Sequence, residues 1–349
     1  MLMHRTLVSP RAGRATGCWH SVCVQRWDDL SDVGPGFGPS VVTIGNFDGV
    51  HRGHAAVLGE VVGLARDRGL AAVAVTFDPH PLQVLHPERA PGLLTGLEHR
   101  LDLLAGAGLD AVLVMPFTRE LAAWSPERFV RDVFVDALRA RVVVVGHDVR
   151  FGEGNSGDLA TMQELGARWG FEVRVLQDLG DRDDAPRWSS TAVRAALAAG
   201  EVDRAARMLG HPHRVTSTVV HGDHRGRELG YPTANLDTDG AEGLVPADGV
   251  YAGWLTRPGG ERLAAAVSIG TNPTFDGVRR QVEAFCLDQE GRPGGLDLYG
   301  ERVDLDLVAR LRPTLRFDGV EALVEQMERD VARCRELLLG PSAEGPAPR

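Results

Sequence analysis

Two hydrophobic rhythms follow one another along this chain, and no single domain accommodates both. From Val41 to about Gly200, short apolar runs alternate with stretches of helical spacing. The runs "VVTIG" (41–45), "AAVAVTF" (71–77), "AVLVMPF" (111–117), "RVVVVG" (141–146) and "EVRVL" (172–176) read as buried strands. Between them lie "HAAVLGEVVGLARDRG", "LEHRLDLLAGAG", "PERFVRDVFVDALRA" and "ATMQELGARWG", and several of these end in glycine, as helices do. Repeated β–α units predict an α/β fold: a parallel sheet with helices on both faces and ligands at the carboxyl ends of its strands. From Val215 to Leu311 the runs become short and alternating, separated by glycine-rich turns: "RVTSTVVHG", "GVYAGWLT", "LAAAVSIG", "QVEAFCLD" and "ERVDLDLVARLR". That pattern predicts a small antiparallel β-barrel. A helical stretch, "GVEALVEQMERDVARCRELLL" (319–339), closes the pattern.

A length of 349 residues favours two domains. The expected division is 24–200 and 215–339, joined by a linker at 201–214, with a disordered extension at 1–23 and a disordered tail at 340–349. Residues 1–27 carry four arginines and no acid, which superficially resembles a transit peptide. "SPRAGRATG" is poor helix material, so a disordered extension or an upstream start codon is the favoured reading. No run of about 18 apolar residues occurs, so no membrane span and a cytoplasmic protein are expected. A net charge of -10 argues against nucleic acid or an anionic membrane as the main partner. Cys18, Cys23, Cys286 and Cys334 make no disulfide framework, and "CWHSVC" fits no standard zinc spacing.

Every one of the 38 basic residues is arginine. The absence of lysine excludes a phosphate loop of the G-x-x-x-x-G-K-[ST] type and every Schiff-base mechanism. Yet "VVTIGNFDGVHRGHAAVL" (41–58) has the outline of a strand, a polar loop and a helix. His51 and His54 then fall in the first helical turn, three apart and on one face. A helix start offers free N–H groups and a positive dipole end, and two imidazoles there suit a phosphate under attack. Caps or surface histidines are the ordinary alternative. Further on, "RWSSTAVRAALAAG" (187–200) sets Ser189, Ser190 and Thr191 at a helix start, followed by Arg194. That is either a second phosphate clamp or a plain N-cap with a surface arginine.

In the second half, "VVHGDHRGRELGYPTANLD" supplies glycines that free the backbone, arginines for charge, and a proline before Thr233 and Asn235. Hydroxyl and amide oxygens two apart on a strand face one side and suit a hard cation such as Mg²⁺. A glycine-rich hairpin with ordinary polar residues is the alternative. Glu283 stands in the otherwise apolar "VEAF", as a salt-bridge partner, an exposed-face residue or a base.

The H-x-G-H string resembles the signature of the nucleotidylyltransferase superfamily, and S-S-T-x-x-R resembles a later element of the same catalytic domain. With "TFDPHP" (76–81) and "VVVGHDVRFGEGNSGD" (143–158), they resemble the adenylyltransferase module of the bifunctional bacterial riboflavin kinase/FAD synthetase family. "GRELGYPTANL" (226–236), "VPADGVYAGW" (245–254) and "SIGTNPTFDG" (268–277) resemble its riboflavin kinase module. The resemblance covers about residues 24–338 and implies a Rossmann-like nucleotidylyltransferase domain before the barrel. It implies riboflavin, FMN and ATP as small-molecule substrates, FAD as product, and Mg²⁺ as cofactor, while a weak homo-oligomer is compatible with it. It also implies that Gly45, Asn46, Phe47, Asp48, Gly49, Asp148, Ser189, Ser190 and Thr191 surround one ATP, with His51, His54 and Arg194 acting on its phosphates. Gly222, Arg225, Gly226, Arg227, Thr233 and Asn235 would surround the other, with Mg²⁺ at Thr233 and Asn235 and Glu283 as base for the ribityl hydroxyl. Two departures stand out: Asp148 and Val149 replace the family's "NF", and Thr314 in "LRPTLRFDG" replaces an acid.

Overall fold

The computed structural model describes residues 24–176, 188–222, 230–274, 277–287 and 296–340. The expected extension, the tail beyond Gly340, the "CWHSVC" segment, and Arg225, Gly226 and Arg227 lie outside the described residues. Two compact units are present.

The first unit comprises Met1–Asn46, Val57–Pro87 and Leu101–Gln177. Its six strands are β1 (Gln25–Trp27), β2 (Ser40–Ile44), β3 (Ala71–Asp78), β4 (Ala111–Pro116), β5 (Ala140–Gly146) and β6 (Glu172–Leu176). All pair in parallel, in the order β1-β4-β3-β2-β5-β6. Helix α1 (Arg52–Arg68) buries Leu58, Val61, Val62 and Ala65, one stripe at helical spacing. Further α-helices are α2 (Pro81–Leu85), α3 (Leu97–Gly106), α4 (Arg119–Ala122), α5 (Pro126–Phe129) and α6 (Leu159–Trp169), with short 3-10 turns at Leu30–Asp32, Pro87–Arg89 and Glu153–Asn155. The segment expected to be one helix over "PERFVRDVFVDALRA" is α5 continued by a π-helical stretch, Val130–Ala137.

Strand β1 has no counterpart among the expected strands. Three residues carry no periodicity, and the strand is held by Trp27, which is 2% exposed and meets Phe37 edge-on at 4.6 Å. The chain leaves β2 toward β3 and β4 on one side and returns to β5 on the other. The carboxyl ends of β2 and β5 therefore mark the switch point of the sheet, where open α/β sheets bind ligands.

The second unit comprises Phe47–Ala56, Glu88–Arg100 and Asp178–Arg349. Strands β7 (His213–Val220), β8 (Ala234–Leu236), β9 (Gly249–Thr256), β10 (Arg262–Thr274), β11 (Gly277–Cys286) and β12 (Arg302–Arg312) close a barrel in the order β10-β11-β8-β7-β12-β9. β7 alternates strictly between buried and half-buried positions, the signature of a one-sided strand. Helices α7 (Ser190–Ala198) and α8 (Val202–Leu209) share the barrel's core: Val193, Leu197, Val202 and Met208 lie in one apolar cluster with Val219, Tyr251 and Leu305. Within the segment expected to be a linker, 201–214, Val202–Leu209 forms α8 and His213 begins β7. Helix α9 (Val320–Leu339) buries Cys334 and Leu338 against Ala252, Ala264 and Leu287.

Candidate active sites

The loop after β2 begins in the first unit. Gly45 N–H donates to Val75 O, and Thr76 Oγ1 donates to Asn46 O. The Asn46 carboxamide meets His80 Nε2 at 3.3 Å. His80 is buried and caps α2, its Nδ1 accepting the Leu82 N–H. Asp148 is exposed, just beyond the carboxyl end of β5, the strand paired with β2.

The rest of the loop lies in the second unit and is built under constraint. Phe47 and Val50 have φ of 48° and 36°, a region that bulky side chains rarely adopt. Phe47 is buried and sets its ring edge-on to His54 at 5.2 Å. His51 stands at the start of α1, and its Nδ1 accepts the His54 N–H at 3.3 Å. With Nδ1 accepting, the proton of the neutral ring sits on Nε2. The two imidazoles stack, with centroids 3.7 Å apart. A side chain at Gly53 would place Cβ 3.1 Å from the His51 ring, a tight approach to which the ring would have to yield by a few tenths of an ångström. Burial lowers the His51 pKa to about 4 and that of His54 well below its ordinary value, so both rings are neutral at pH 7.

Asp48 is the hub of this loop. It is 2% exposed, and its Oδ1 accepts the Leu94 and Thr95 N–H groups at 2.9 and 3.1 Å. Its Oδ2 accepts Arg194 Nη2, while Arg194 Nε donates to Gly92 O at 2.8 Å. These bonds use two of the five guanidinium N–H donors. Ser189 caps α7 through its own hydroxyl, Ser190 Oγ donates to Asp48 O, and Thr191 is exposed. His211 Nε2 reaches Gly49 O at 3.1 Å.

On the barrel, Asn235 of β8 is the cross-strand partner of Glu283 on β11, and Ser268 of β10 is its partner on the other side. Ala234, Leu236, Val282 and Ala284 point into the barrel core, so Thr233, Asn235, Glu283 and Phe285 share its outer face. Thr233 and Glu283 line one cavity of about 240 Å³, which α9 covers. A Cβ on Gly222 would fall 2.3 Å from the Asn235 carboxamide, so only glycine permits that approach.

A family model for FAD synthetase matches residues 37–192, and one for riboflavin kinase matches residues 209–338. The bifunctional riboflavin kinase/FMN adenylyltransferase of Escherichia coli K12 is 39% identical over 296 residues, 85% of this chain and 92% of its own. The chain belongs to the bifunctional riboflavin kinase/FMN adenylyltransferase family. Relatives with the same name in Listeria monocytogenes and Bacillus subtilis are 36% and 33% identical, over 89% and 83% of this chain and 94% and 90% of their own. A solved structure described as a macrolide-efflux protein from Streptococcus pneumoniae has a TM-score of 0.78 at 30% identity, covering 89% of this chain and 98% of that one. Among the described residues, no helix is long and apolar enough to cross a membrane.

As a member of this family the chain is a riboflavin kinase and an FMN adenylyltransferase, with riboflavin, FMN and ATP as substrates. Within the second unit, Asp48, His51, His54, Ser189, Ser190 and Arg194 come together, as do Thr233, Asn235, Glu283 and Gly222. Gly45, Asn46 and Asp148 belong to the first unit. Sequence reading gave no role to His80, Leu94 or Thr95. "TFDPHP" marked the first, but nothing in the sequence signals backbone N–H groups 46 residues from the carboxylate that takes them.

Proposed function

We propose that residues 215–339 carry the kinase and residues 24–200 the adenylyltransferase, with the side-chain roles that follow. Glu283 takes the proton of the ribityl 5′-hydroxyl. The freed oxygen attacks the γ-phosphorus of ATP, the bond to the β-phosphate oxygen breaks, and FMN and ADP result. Thr233 and Asn235 present a hydroxyl and a carboxamide oxygen on the face that holds Glu283, a hard donor set that fits Mg²⁺. Bound there, Mg²⁺ supplies charge neutralisation at the transferring phosphoryl group.

In the adenylyl transfer, a phosphate oxygen of FMN attacks the α-phosphorus of the second ATP and pyrophosphate leaves. His51 and His54 serve as neutral N–H donors to the charge that develops on the α-phosphate, since burial keeps both rings unprotonated. Arg194 supplies the positive charge. Asp48 aims that arginine and pins the 92–95 segment, a different task from binding phosphate itself. No lysine is required.

The observation that carries the reading is the register of β8 against β11, which sets Asn235 opposite Glu283 beside the cavity that Thr233 lines. Glu283→Gln keeps the shape and removes the base. Riboflavin phosphorylation is expected to fall about 10²–10⁴-fold, with conversion of added FMN to FAD unchanged. Equal loss of both activities, or of neither, would remove Glu283 from this role.

A further inference from the structure

Helix α9 lies over the kinase cavity, and its attachment is uneven along its length. Its distal half is anchored by Cys334 and Leu338, buried against Ala252, Ala264 and Leu287. Its start is open to solvent: Gly319 gives no side-chain cap and Val320 is 54% exposed. Between these ends, Leu323, Met327 and Val331 face the cavity. At that level α9 is tied to the barrel by a charge pair. Arg312, on the last residue of β12, donates from Nε to both Asp330 oxygens at 3.0 Å and from Nη2 to Oδ2 at 2.7 Å. Gln326 Nε2 donates to Asp330 Oδ1 at 3.0 Å, and Arg312 Nη1 donates to Pro313 O at 3.1 Å. The side chains are only 16% and 9% exposed, and both line the cavity that holds Glu283.

A planar guanidinium fork held at three nitrogens fixes direction as well as distance. Thr314, where an acid is expected, is exposed and does not line the cavity. The carboxylate that Arg312 uses comes from α9 instead. We propose that Arg312 and Asp330 are a positioning pair that sets the height of α9 above the cavity, and so the fit of the flavin ring beneath Leu323, Met327 and Val331. The inference rests on the reading that this cavity takes riboflavin. The pair acts on flavin binding through α9 and leaves the phosphoryl chemistry at Glu283 alone.

The test uses the full chain and three variants: Asp330→Asn, Arg312→Lys and the double charge reversal Arg312→Asp/Asp330→Arg. Riboflavin affinity is read by quenching of flavin fluorescence, and the kinase by separate KM and kcat values. Asp330→Asn and Arg312→Lys should each raise the riboflavin Kd and KM by about tenfold or more, the scale of one charge-assisted hydrogen bond. The kcat at saturating riboflavin and the KM for ATP should stay within about threefold, and the double reversal should recover most of the loss. A cooperative urea unfolding transition of the same preparations reports that the barrel is folded. Unchanged riboflavin Kd and KM in folded Arg312→Lys and Asp330→Asn would overturn the inference, as would a kcat loss at unchanged Kd. Wild-type protein that neither binds nor phosphorylates riboflavin would instead overturn the reading of the cavity.

Discussion

Asp48 brings a negative charge into the loop proposed to hold phosphate, and it does so while nearly buried. Its neighbours explain how: two backbone N–H groups and the Arg194 guanidinium satisfy the carboxylate, so its charge is spent inside the protein. Asp48→Asn removes the charge that aims Arg194. FMN adenylylation should drop at least about tenfold, with riboflavin phosphorylation within about twofold of wild type, as flavin chromatography would measure. The two histidines make a claim about pH. If His51 and His54 act as neutral donors, adenylylation should be flat from pH 8 to pH 6, because the His51 pKa lies near 4 and that of His54 is also lowered by burial. A requirement for imidazolium would show as activity lost on raising the pH through about 6.5. Gly53→Ala tests the packing itself: a Cβ 3.1 Å from the His51 ring shifts that ring by a few tenths of an ångström, and adenylylation should fall while the kinase persists. The H-x-G-H and S-S-T-x-x-R strings made these residues visible in the sequence. Their partners were not visible, because Gly92, Leu94 and Thr95 contribute backbone groups that any residue carries.

Among the elements, legibility followed length and burial. The parallel strands β2 to β5 were readable because strands buried on both faces are written as continuous Val, Ala and Leu runs, whereas β6, expected to be buried, has only exposed and half-buried positions at the edge of the sheet. Strand β8 is three residues long and was readable only as a strand carrying Thr233 and Asn235; its pairing with β11, which sets Asn235 beside Glu283, was not. The register of β7 against β12 was equally hidden. It is fixed partly by Arg214, which forks onto Asp306 at 2.7 and 3.0 Å and reaches Asp304 at 3.0 Å across the strands. Asp306→Ala leaves that guanidinium half-buried without its fork partner. We expect a loss of about 2–4 kcal/mol in urea unfolding. Asp203→Ala breaks an exposed i,i+4 pair with Arg207 and should cost less than about 0.5 kcal/mol. Comparable losses from the two would contradict the bracing role of Arg214.

At the scale of the molecule, the change of rhythm after Arg214 announced a barrel, but the contacts place α7 and α8 in the barrel's core. Helices α7 and α8 have ordinary amphipathic patterns, and a pattern shows which face is buried without showing against what. The second unit also concentrates buried histidines: burial lowers His51 and His213 to about 4, His99 to about 3, and His54 well below its ordinary value. In the unfolded chain these rings titrate near 6.5. Above about pH 7 they are neutral in both states and stability is independent of them. As the pH falls from 6.5 toward 4, the unfolded chain binds protons that the folded chain refuses, so stability falls, by up to about 1.4 kcal/mol per pH unit for each ring. The urea midpoint should therefore drop between pH 7 and pH 5, and an unchanged midpoint would contradict the buried, neutral state of these rings.

The proposed roles have one chain carry riboflavin through FMN to FAD, with phosphorylation at Glu283 and adenylylation at His51 and His54. The most direct measurement is a time course of flavins, separated by chromatography, after mixing the purified protein with riboflavin, ATP and Mg²⁺. FMN is expected to appear first and FAD to follow at its expense, with Glu283→Gln stopping the first step and His54→Ala only the second. Absence of any phosphorylated flavin, or loss of both steps in either variant, would contradict these roles.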